Sequence, residues 1–400
     1  MKKNQLLALS IMLTFFVGIV SCQKILPPAP KDDELLDGPI TGLSSGQSMQ
    51  HLRGDVAFND QIFTAETGLG PVFVASSCGS CHIGDGKGHP TTTLTRFGQN
   101  DSTGNQFLHL GGPLLQNRAL PGYAPEQIPS GASSSKLTPP ITTGLGFLEL
   151  VSDADILAMA DPYDADGDGI SGIPNWNSIP SYITPNNNAI TQNGKYICRF
   201  GKKDAVYNLL QQTVTAYNQD IGITSVYNTL DAYSLKDIDP EIATNTVNDV
   251  VFYLQTLKTP IQRKQDDVEV RQGEAVFKQI GCDGCHKQTL KTGYSPIAGL
   301  SNKEFHPYTD LLLHDMGSGL DDGYTEGSAK TYEWRTAPLW GLGLAPSSQG
   351  GDYFLLHDGR ATSIESAISR HGGEAIGRRA NYYNLSENDR LALIKFLKSL

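Results

Sequence analysis

This chain has few cysteines, few positive charges and one long apolar run. Its 31 lysines and arginines are outnumbered by 42 aspartates and glutamates, so the 400 residues carry a formal net charge of −11. An acidic surface repels phosphates, which makes nucleic acid a poor partner. The apolar run, from Leu6 to Val20, is too short and wrongly flanked for a comfortable membrane-spanning helix.

That run indicates a targeting segment. Lys2 and Lys3 precede it, and it ends at Ile19–Cys22. The pattern is typical of a bacterial lipoprotein signal peptide over residues 1–21, whose removal leaves Cys22 as the lipidated N-terminus. An uncleaved membrane anchor is the alternative, and in both cases the body of the protein is exported.

Residue 23 is Gln rather than Asp, and the resemblance to lipoprotein sorting rules then implies an outer-membrane anchor facing the periplasm or the cell surface. Prolines and acidic residues predict a flexible tether over residues 22–45. The remaining chain is long enough for two domains with separate cores. Its 42 glycines and 22 prolines predict a loop-rich fold.

The pattern Cys-x-x-Cys-His occurs twice, at Cys78–His82 and at Cys282–His286. Chance would produce about 0.002 copies in a chain of this composition, so the repetition is informative. Two thiols one helical turn apart can form thioethers with the two vinyl groups of a porphyrin, while the adjacent imidazole binds its iron. The motifs therefore predict two covalently bound haem c groups.

A zinc site and a redox dithiol are the alternatives. Zinc would need a further ligand pair, and a dithiol gives no reason for His after both motifs. With haem, His82 and His286 are the proximal iron ligands. Once Cys22 and the motif cysteines are assigned, Cys198 remains, so no internal disulfide can form. Haem propionates add negative charge, which is compatible with a basic electron carrier or a neutral small molecule as partner.

Helical patterns flank the second motif. Val270–Ile280 resembles the first helix of a cytochrome c domain, and Ser386 begins a closing helix that runs to Leu400. Residues 245–257 repeat the apolar pattern of residues 388–400. We therefore predict a mainly α protein with two cytochrome c-like domains, residues 46–262 and 263–400, and a long loop-rich insertion in the first.

The insertion contains an acidic loop, Asp164–Gly172. Asp164, Asp166 and Asp168 alternate with small residues, and with the carbonyl of Ile170 they can surround a hard cation. The twelfth position of an EF-hand would be Asn rather than Glu, so the match is to calcium loops in general. We predict a structural calcium site, with a solvated acidic turn as the alternative.

From about Phe58 to Leu400 the chain resembles the bacterial di-haem oxidoreductases often labelled "thiol oxidoreductase", relatives of di-haem cytochrome c peroxidases and the methylamine-utilisation di-haem enzymes. Cys198 stands where the family usually has Gly. The resemblance rests on residues 68–82, 144–149, 164–172, 199–203, 308–317, 333–341, 356–361 and 371–375.

The resemblance implies the sixth iron ligands. The distal ligand of the C-terminal haem in the related peroxidases is commonly Met, and His371 stands at that place here, with Met316 as second choice. A bis-histidine iron is expected to have the lower potential. For the N-terminal haem, His109 is the better candidate if a sixth ligand exists, because His89 follows His82 too closely.

The same relatives reduce peroxide at the N-terminal haem with a nearby carboxylate as acid and base, for which we choose Glu149. Arg335 and Arg360 are candidate partners of the haem propionates. The expected partners are peroxide and a small redox protein or quinol-derived electron donor. The alternatives are a non-catalytic electron-transfer cytochrome with both haems six-coordinate, and a calcium-stabilised haem-binding scaffold.

Overall fold

The computed structural model describes residues 29–98, 100–101 and 104–400. The predicted signal peptide, Cys22 and the first part of the predicted tether lie outside these residues. Leu36–Leu400 forms one compact unit, and the residues before it are assigned to another. Within the described ranges, every helix is too short or too polar to cross a bilayer.

The helices are short apart from four that lie near the two motifs. In chain order they are α1 (Ser45–Asp55), α2 (Leu145–Glu149), α3 (Asp153–Met159), α4 (Leu209–Ala216), α5 (Thr244–Thr256), α6 (Val268–Gln279), α7 (Ala345–Ser348), α8 (Ile364–Ser369), α9 (Ile376–Tyr383) and α10 (Glu387–Ser399).

The strands form small antiparallel sheets that brace the loops. Their pairs are Val72–Phe73 with Arg118–Ala119, Leu94–Phe97 with Ser134–Leu137, Asn100–Asp101 with Gly104–Asn105, Leu290–Lys291 with Glu304–Phe305, and Leu313–Asp315 with Glu333–Arg335, and Lys195–Cys198 lies between Asn175–Asn177 and Thr191–Gln192. The helical and loop-rich character predicted for residues 83–200 is confirmed.

Helices α6 and α10 cross at a glycine. A Cβ on Gly273 would lie 2.1 Å from the carbonyl oxygen of Ala392, so only glycine allows this approach. Asp267 caps α6, and Ser386 caps α10 by accepting a hydrogen bond from the Asp389 amide at 3.2 Å, as the sequence predicts. Phe277 then packs against Phe396 with ring centroids 5.5 Å apart.

Helices α1 and α5 repeat this arrangement. A Cβ on Gly54 would lie 2.0 Å from the carbonyl oxygen of Asp249. Phe58, four residues after Gly54, packs against Tyr253 at 5.6 Å, just as Phe277 follows Gly273 by four. The similarity between residues 245–257 and 388–400 is therefore structural, since both segments are closing helices.

The end of the predicted tether is packed. Leu36 and Ile40 are buried, and the Ile40 amide donates to the Thr256 carbonyl at 2.8 Å. Residues 36–44 therefore differ from a flexible tether, because their apolar side chains cover the end of α5. The largest hydrophobic cluster includes Phe58 and Val250 together with Phe305 and Leu312, so side chains from both sides of residue 262 share one core. The domain boundaries themselves remain a prediction.

Candidate haem sites

The first motif is a tight turn that presents its histidine. The amides of Cys81 and His82 both donate to the Cys78 carbonyl at 3.1 Å. His82 Nδ1 lies 3.0 Å from the Pro140 carbonyl oxygen. Because a carbonyl only accepts, Nδ1 carries the proton and the lone pair of Nε2 is available to a metal. Burial lowers the pKa of His82 to about 4, which keeps the imidazole neutral.

The second motif has the same internal bonds. The His286 amide donates to the Cys282 carbonyl at 3.0 Å, and His286 Nδ1 lies 3.0 Å from the Tyr308 carbonyl oxygen. Its Nε2 lone pair is therefore also available. Burial lowers the pKa of His286 to about 4, with a smaller contribution in the same direction from His371.

The thiols fit haem better than the alternatives. The cysteines of the described residues form no disulfide. Burial raises the pKa of Cys78 and of Cys282 to about 12, whereas a redox dithiol needs a lowered thiol pKa. Ligand atoms of Cys285, Asp310 and His314 lie within 4.8 Å of one another, but in the described ranges the first motif belongs to no such metal-binding group. A zinc reading would thus explain only one of two matching motifs.

A second imidazole lies near the C-terminal motif. His371 follows α8, and its Nδ1 lies 2.8 Å from the Ala367 carbonyl oxygen, which leaves Nε2 unprotonated. It is close enough to His286 that each charge would disfavour the other. Met316 lies in the neighbouring loop, where its carbonyl oxygen is 2.7 Å from the Cβ position of Gly372. The fold therefore brings both predicted distal candidates to one place.

The N-terminal candidates lie elsewhere. His109 is exposed, and its Nδ1 lies 3.0 Å from the Gln106 carbonyl oxygen in a surface turn. His89 bonds to the Thr91 hydroxyl at 2.9 Å and packs its ring against the edge of Phe354. In the part of the chain that the structure describes, neither imidazole contacts His82.

A protein-family model described as "Di-haem oxidoreductase, putative peroxidase" matches residues 134–400, two thirds of the chain. The chain belongs to this family. The matched range contains the second motif and the acidic loop, and the first motif precedes it.

Two solved structures are similar to this member of the di-haem oxidoreductase family. One is hydrazine synthase of Kuenenia stuttgartiensis pressurised with xenon, at 12% identity, covering 94% of this chain and 98% of that one, with a TM-score of 0.35. The other is a MauG-like protein associated with microbial copper homeostasis, at 12% identity, covering 94% of both chains, with a TM-score of 0.40. At these scores we conclude nothing further from either. No curated protein matches the sequence.

Glu149, the predicted acid and base, has both carboxylate oxygens engaged. One accepts a hydrogen bond from the Leu209 amide at 2.7 Å, and the other accepts one from Gln255 Nε2 at 2.7 Å. Burial raises the pKa of Glu149. The carboxylate therefore joins the start of α4 to α5, a structural task that its sequence position did not reveal.

Asp220 is a buried carboxylate that sequence reasoning missed. Burial raises its pKa to about 7, and its negative charge raises the pKa of both Cys78 and Cys81, so it lies beside the first motif. Arg96 is the nearest cation that opposes this shift. Asp220 lies in the π-helical turn Tyr217–Ile221, for which the sequence carries no signal.

The two predicted propionate partners are already paired with carboxylates. Arg335 Nε lies 3.0 Å from Asp204 Oδ1, and Asp204 is fully buried. Arg360 Nε donates to Asp358 Oδ2 at 2.6 Å. Each guanidinium is therefore balanced within the chain, although both keep further N–H groups.

A buried ion-pair network lies beside the second motif. His314 is held between Asp310 Oδ2 and Glu374 Oε2, each at 2.8 Å, and its Nδ1 is also 3.5 Å from Cys285 Sγ. The two carboxylates outweigh burial and raise the pKa of His314 well above its usual value. The hydrogen bonds from His314 and Ser171 lower the pKa of Glu374 to about 2 despite its burial.

The acidic loop gathers a different set of carboxylates from the predicted one. Oxygens of Asp161, Asp164 and Asp166 lie within 4.8 Å of one another. Asp168 instead accepts a hydrogen bond from Arg378 Nη2 at 3.1 Å. Asp161 precedes the predicted loop, and the turn that returns it to Asp164 is a tertiary feature.

Proposed function

We propose that this protein is a di-haem c-type oxidoreductase of peroxidase type. Cys78, Cys81 and His82 hold one haem, and Cys282, Cys285 and His286 hold the other. Bound there, haem supplies one-electron transfer and, where a coordination position is open, reduction of peroxide. Membership of the di-haem oxidoreductase family supports the proposal.

The difference between the two motif histidines carries the assignment of roles. His286 has the imidazole of His371 beside it, with the proton of His371 held on Nδ1 by the Ala367 carbonyl. Among the described residues, no imidazole lies comparably close to His82. A site with two imidazoles suits electron transfer, whereas a site with one leaves room for a small oxidant. We therefore assign electron entry to the C-terminal site and peroxide reduction to the N-terminal site.

Peroxide cleavage also needs a group that moves a proton between the two oxygens. Glu149 keeps both oxygens in hydrogen bonds to α4 and α5, so this role would cost it those contacts. Asp220 fits better, because its pKa near 7 lets it both accept and donate a proton at neutral pH. Arg96 stands near it to favour the charged form.

The proposal is tested on protein from a host that matures c-type cytochromes. We expect two covalent haems per chain, one high-spin and one low-spin ferric signal in electron paramagnetic resonance, cyanide binding at the high-spin haem, and peroxide turnover with a reduced redox protein as donor. Two low-spin haems that bind no cyanide and turn over no peroxide would instead establish the non-catalytic electron-transfer cytochrome.

Calcium is a separate part of the proposal. Asp161, Asp164 and Asp166 supply the oxygen donors that calcium prefers. Isothermal titration with Ca²⁺ is expected to show one site, which Asp164→Asn weakens and Asp32→Asn, a change of charge in another part of the chain, does not. An equal response of both variants would leave only general charge screening.

The proposed location is the periplasmic face of the outer membrane, or the cell surface, with lipid on Cys22. The motif Ile19–Cys22 supports it. Intact-mass measurement of protein from native-like membranes should find residues 1–21 removed and a lipid mass added. Protein that starts at Met1 would favour the uncleaved anchor.

A further inference from the structure

Two buried lysines beside the first motif have no acidic partner. Among the residues that the structure describes, Lys202 Nζ makes no hydrogen bond and no ion pair. Lys87 Nζ has one acceptor, the Leu356 carbonyl at 3.3 Å. Burial lowers the pKa of Lys202 to about 7 and that of Lys87 well below its usual value, and each lysine would also be disfavoured by the charge of the other.

The adjacent Lys203 shows what a satisfied lysine looks like in this fold. Its Nζ donates to the carbonyls of Lys330, Thr331 and Glu333 at 3.0 to 3.1 Å and lies 3.5 Å from Asp322 Oδ1. It also lies 3.8 Å from the centre of the Trp334 ring. Lys202 has the same length and similar burial, but its ammonium group receives none of these acceptors.

The nearby carboxylates are already used. Asp204 pairs with Arg335, and Asp358 pairs with Arg360. Two arginines and two aspartates therefore balance, and the two lysines are left over. Burying an unbalanced ammonium group costs several kcal/mol, so a site of this kind needs either a neutral amine or an added anion.

The location identifies the anion. The charge of Lys202 acts on His82, and Lys87 follows His82 by five residues, so both amines lie at the N-terminal haem site. Each haem carries two propionates, which are carboxylates fixed to the ring. We propose that Lys202 and Lys87 bind the propionates of the N-terminal haem, a role that the sequence had favoured for Arg335 and Arg360.

This inference rests on the proposed haem sites and deepens them. A propionate held by two ammonium groups would fix the rotation of the haem in its pocket. It would also surround the N-terminal iron with positive charge, which favours its ferrous form and raises its reduction potential. The shared chemistry is a carboxylate, so a small carboxylate from solution is the competing source, and the tests below separate the two.

The experiment compares Lys202→Met and Lys87→Met with the surface change Lys195→Met in haem-loaded protein. Resonance Raman spectra report the propionate bending modes, and spectroelectrochemistry reports the potential of each haem. We expect both variants to move the N-terminal propionate modes and to reduce its ferrous-to-ferric equilibrium constant roughly tenfold. Lys195→Met should change neither. Lys202→Arg should keep the wild-type potential, which covers the case in which Lys202→Met does not fold.

Three results would overturn the inference. Propionate modes and potentials that match the wild type in both Met variants would show that the amines bind no propionate. A change of N-terminal spin state in Lys202→Met would make Lys202 an iron ligand instead. A wild-type potential that shifts with added acetate, while the propionate modes stay constant, would identify a solution anion. The haem content of wild-type protein tests the proposed sites independently, because two covalent haems are required whichever result appears.

Discussion

The regions around the two motifs share their inner structure and differ in what faces it. Both place a glycine at a helix crossing, a phenylalanine four residues later, and a histidine whose Nδ1 meets a backbone carbonyl at 3.0 Å. The approach to the motif differs. Phe277 is followed by Cys282 within one turn, whereas a long loop separates Phe58 from Cys78. Repeated packing thus sets the proximal side, and unrepeated loops set the opposite side.

The charges around the two motifs differ as well. Beside the second motif, one imidazolium, His314, is matched by Asp310 and Glu374. Beside the first motif, the cations Lys87 and Lys202 are unmatched, and the carboxylate of Asp220 has a pKa of about 7. The C-terminal region is therefore electrostatically complete within the chain, whereas the N-terminal region has charges that a cofactor and a reaction can use.

The largest expected effect comes from removing one pair of motif cysteines. Cys78→Ser with Cys81→Ser should reduce covalent haem from two groups per chain to one, measured as pyridine haemochrome, because thioether formation needs both thiols. Cys282→Ser with Cys285→Ser should do the same at the other site. Cys198→Ser is the control and should retain both groups.

Replacing the second imidazole should change one site only. His371→Ala is expected to convert the C-terminal haem from low-spin to high-spin and leave the N-terminal signal as it is, because His371 stands beside His286 alone among the two motif histidines. Electron paramagnetic resonance measures this. His109→Ala should have no effect, and an altered N-terminal signal in that variant would place His109 at the first haem after all.

The glycines at the two helix crossings test whether the inner structure is equivalent. Gly54→Ala and Gly273→Ala should each reduce the free energy of unfolding by about 3 kcal/mol, because a Cβ would lie within 2.1 Å of a backbone oxygen. Gly46→Ala and Gly377→Ala, in helices α1 and α9, meet no atom within 4 Å and should be neutral or slightly stabilising. Denaturant titration distinguishes them, and equal values for all four would disprove close crossings.

The matched charges of the C-terminal region predict a pH dependence. The pKa of Glu374 is lowered to about 2, so its contribution is complete above its ordinary pKa near 4.5 and is lost as the pH falls through about 2. His314, with a raised pKa, contributes most below its ordinary value and loses its contribution only at high pH. Glu374→Gln should therefore destabilise the protein at neutral pH by about 2 kcal/mol and flatten the acid limb of its stability curve.

The smallest expected effects separate the two candidate acids. Glu149→Gln should cost about 1 kcal/mol of stability and leave the pH profile of peroxide turnover unchanged, because Glu149 holds two helices together. Asp220→Asn should remove a transition near pH 7 from that profile. The reverse pattern would return the acid and base role to Glu149.

Local patterns predicted what depends on neighbours in the chain. The cap at Ser386, the helix after Asp267 and the closing helix of residues 245–257 are confirmed, because caps and apolar periodicity act within a few residues. Helix α1 was missed, although Gly54 and Phe58 repeat the spacing of Gly273 and Phe277. That signal was readable, but it lies where the prolines and acidic residues upstream predict a tether.

Contacts between distant segments could not be predicted. Glu149 meets Leu209 and Gln255, and Asp161 joins Asp164, through turns whose closure depends on the rest of the fold. The pairing of Arg335 with Asp204 belongs to the same class, because a guanidinium accepts any carboxylate that packing brings near it.

The sequence by itself determined the two Cys-x-x-Cys-His turns and the helices that frame them, because thioether spacing, capping and helical periodicity are local properties. Tertiary structure decided the charge state and the surroundings of each site: which lysine is left unpaired, which carboxylate has its pKa raised, and which imidazole faces another. Those properties depend on burial and on distances between residues far apart in the chain, and neither is encoded in any short segment.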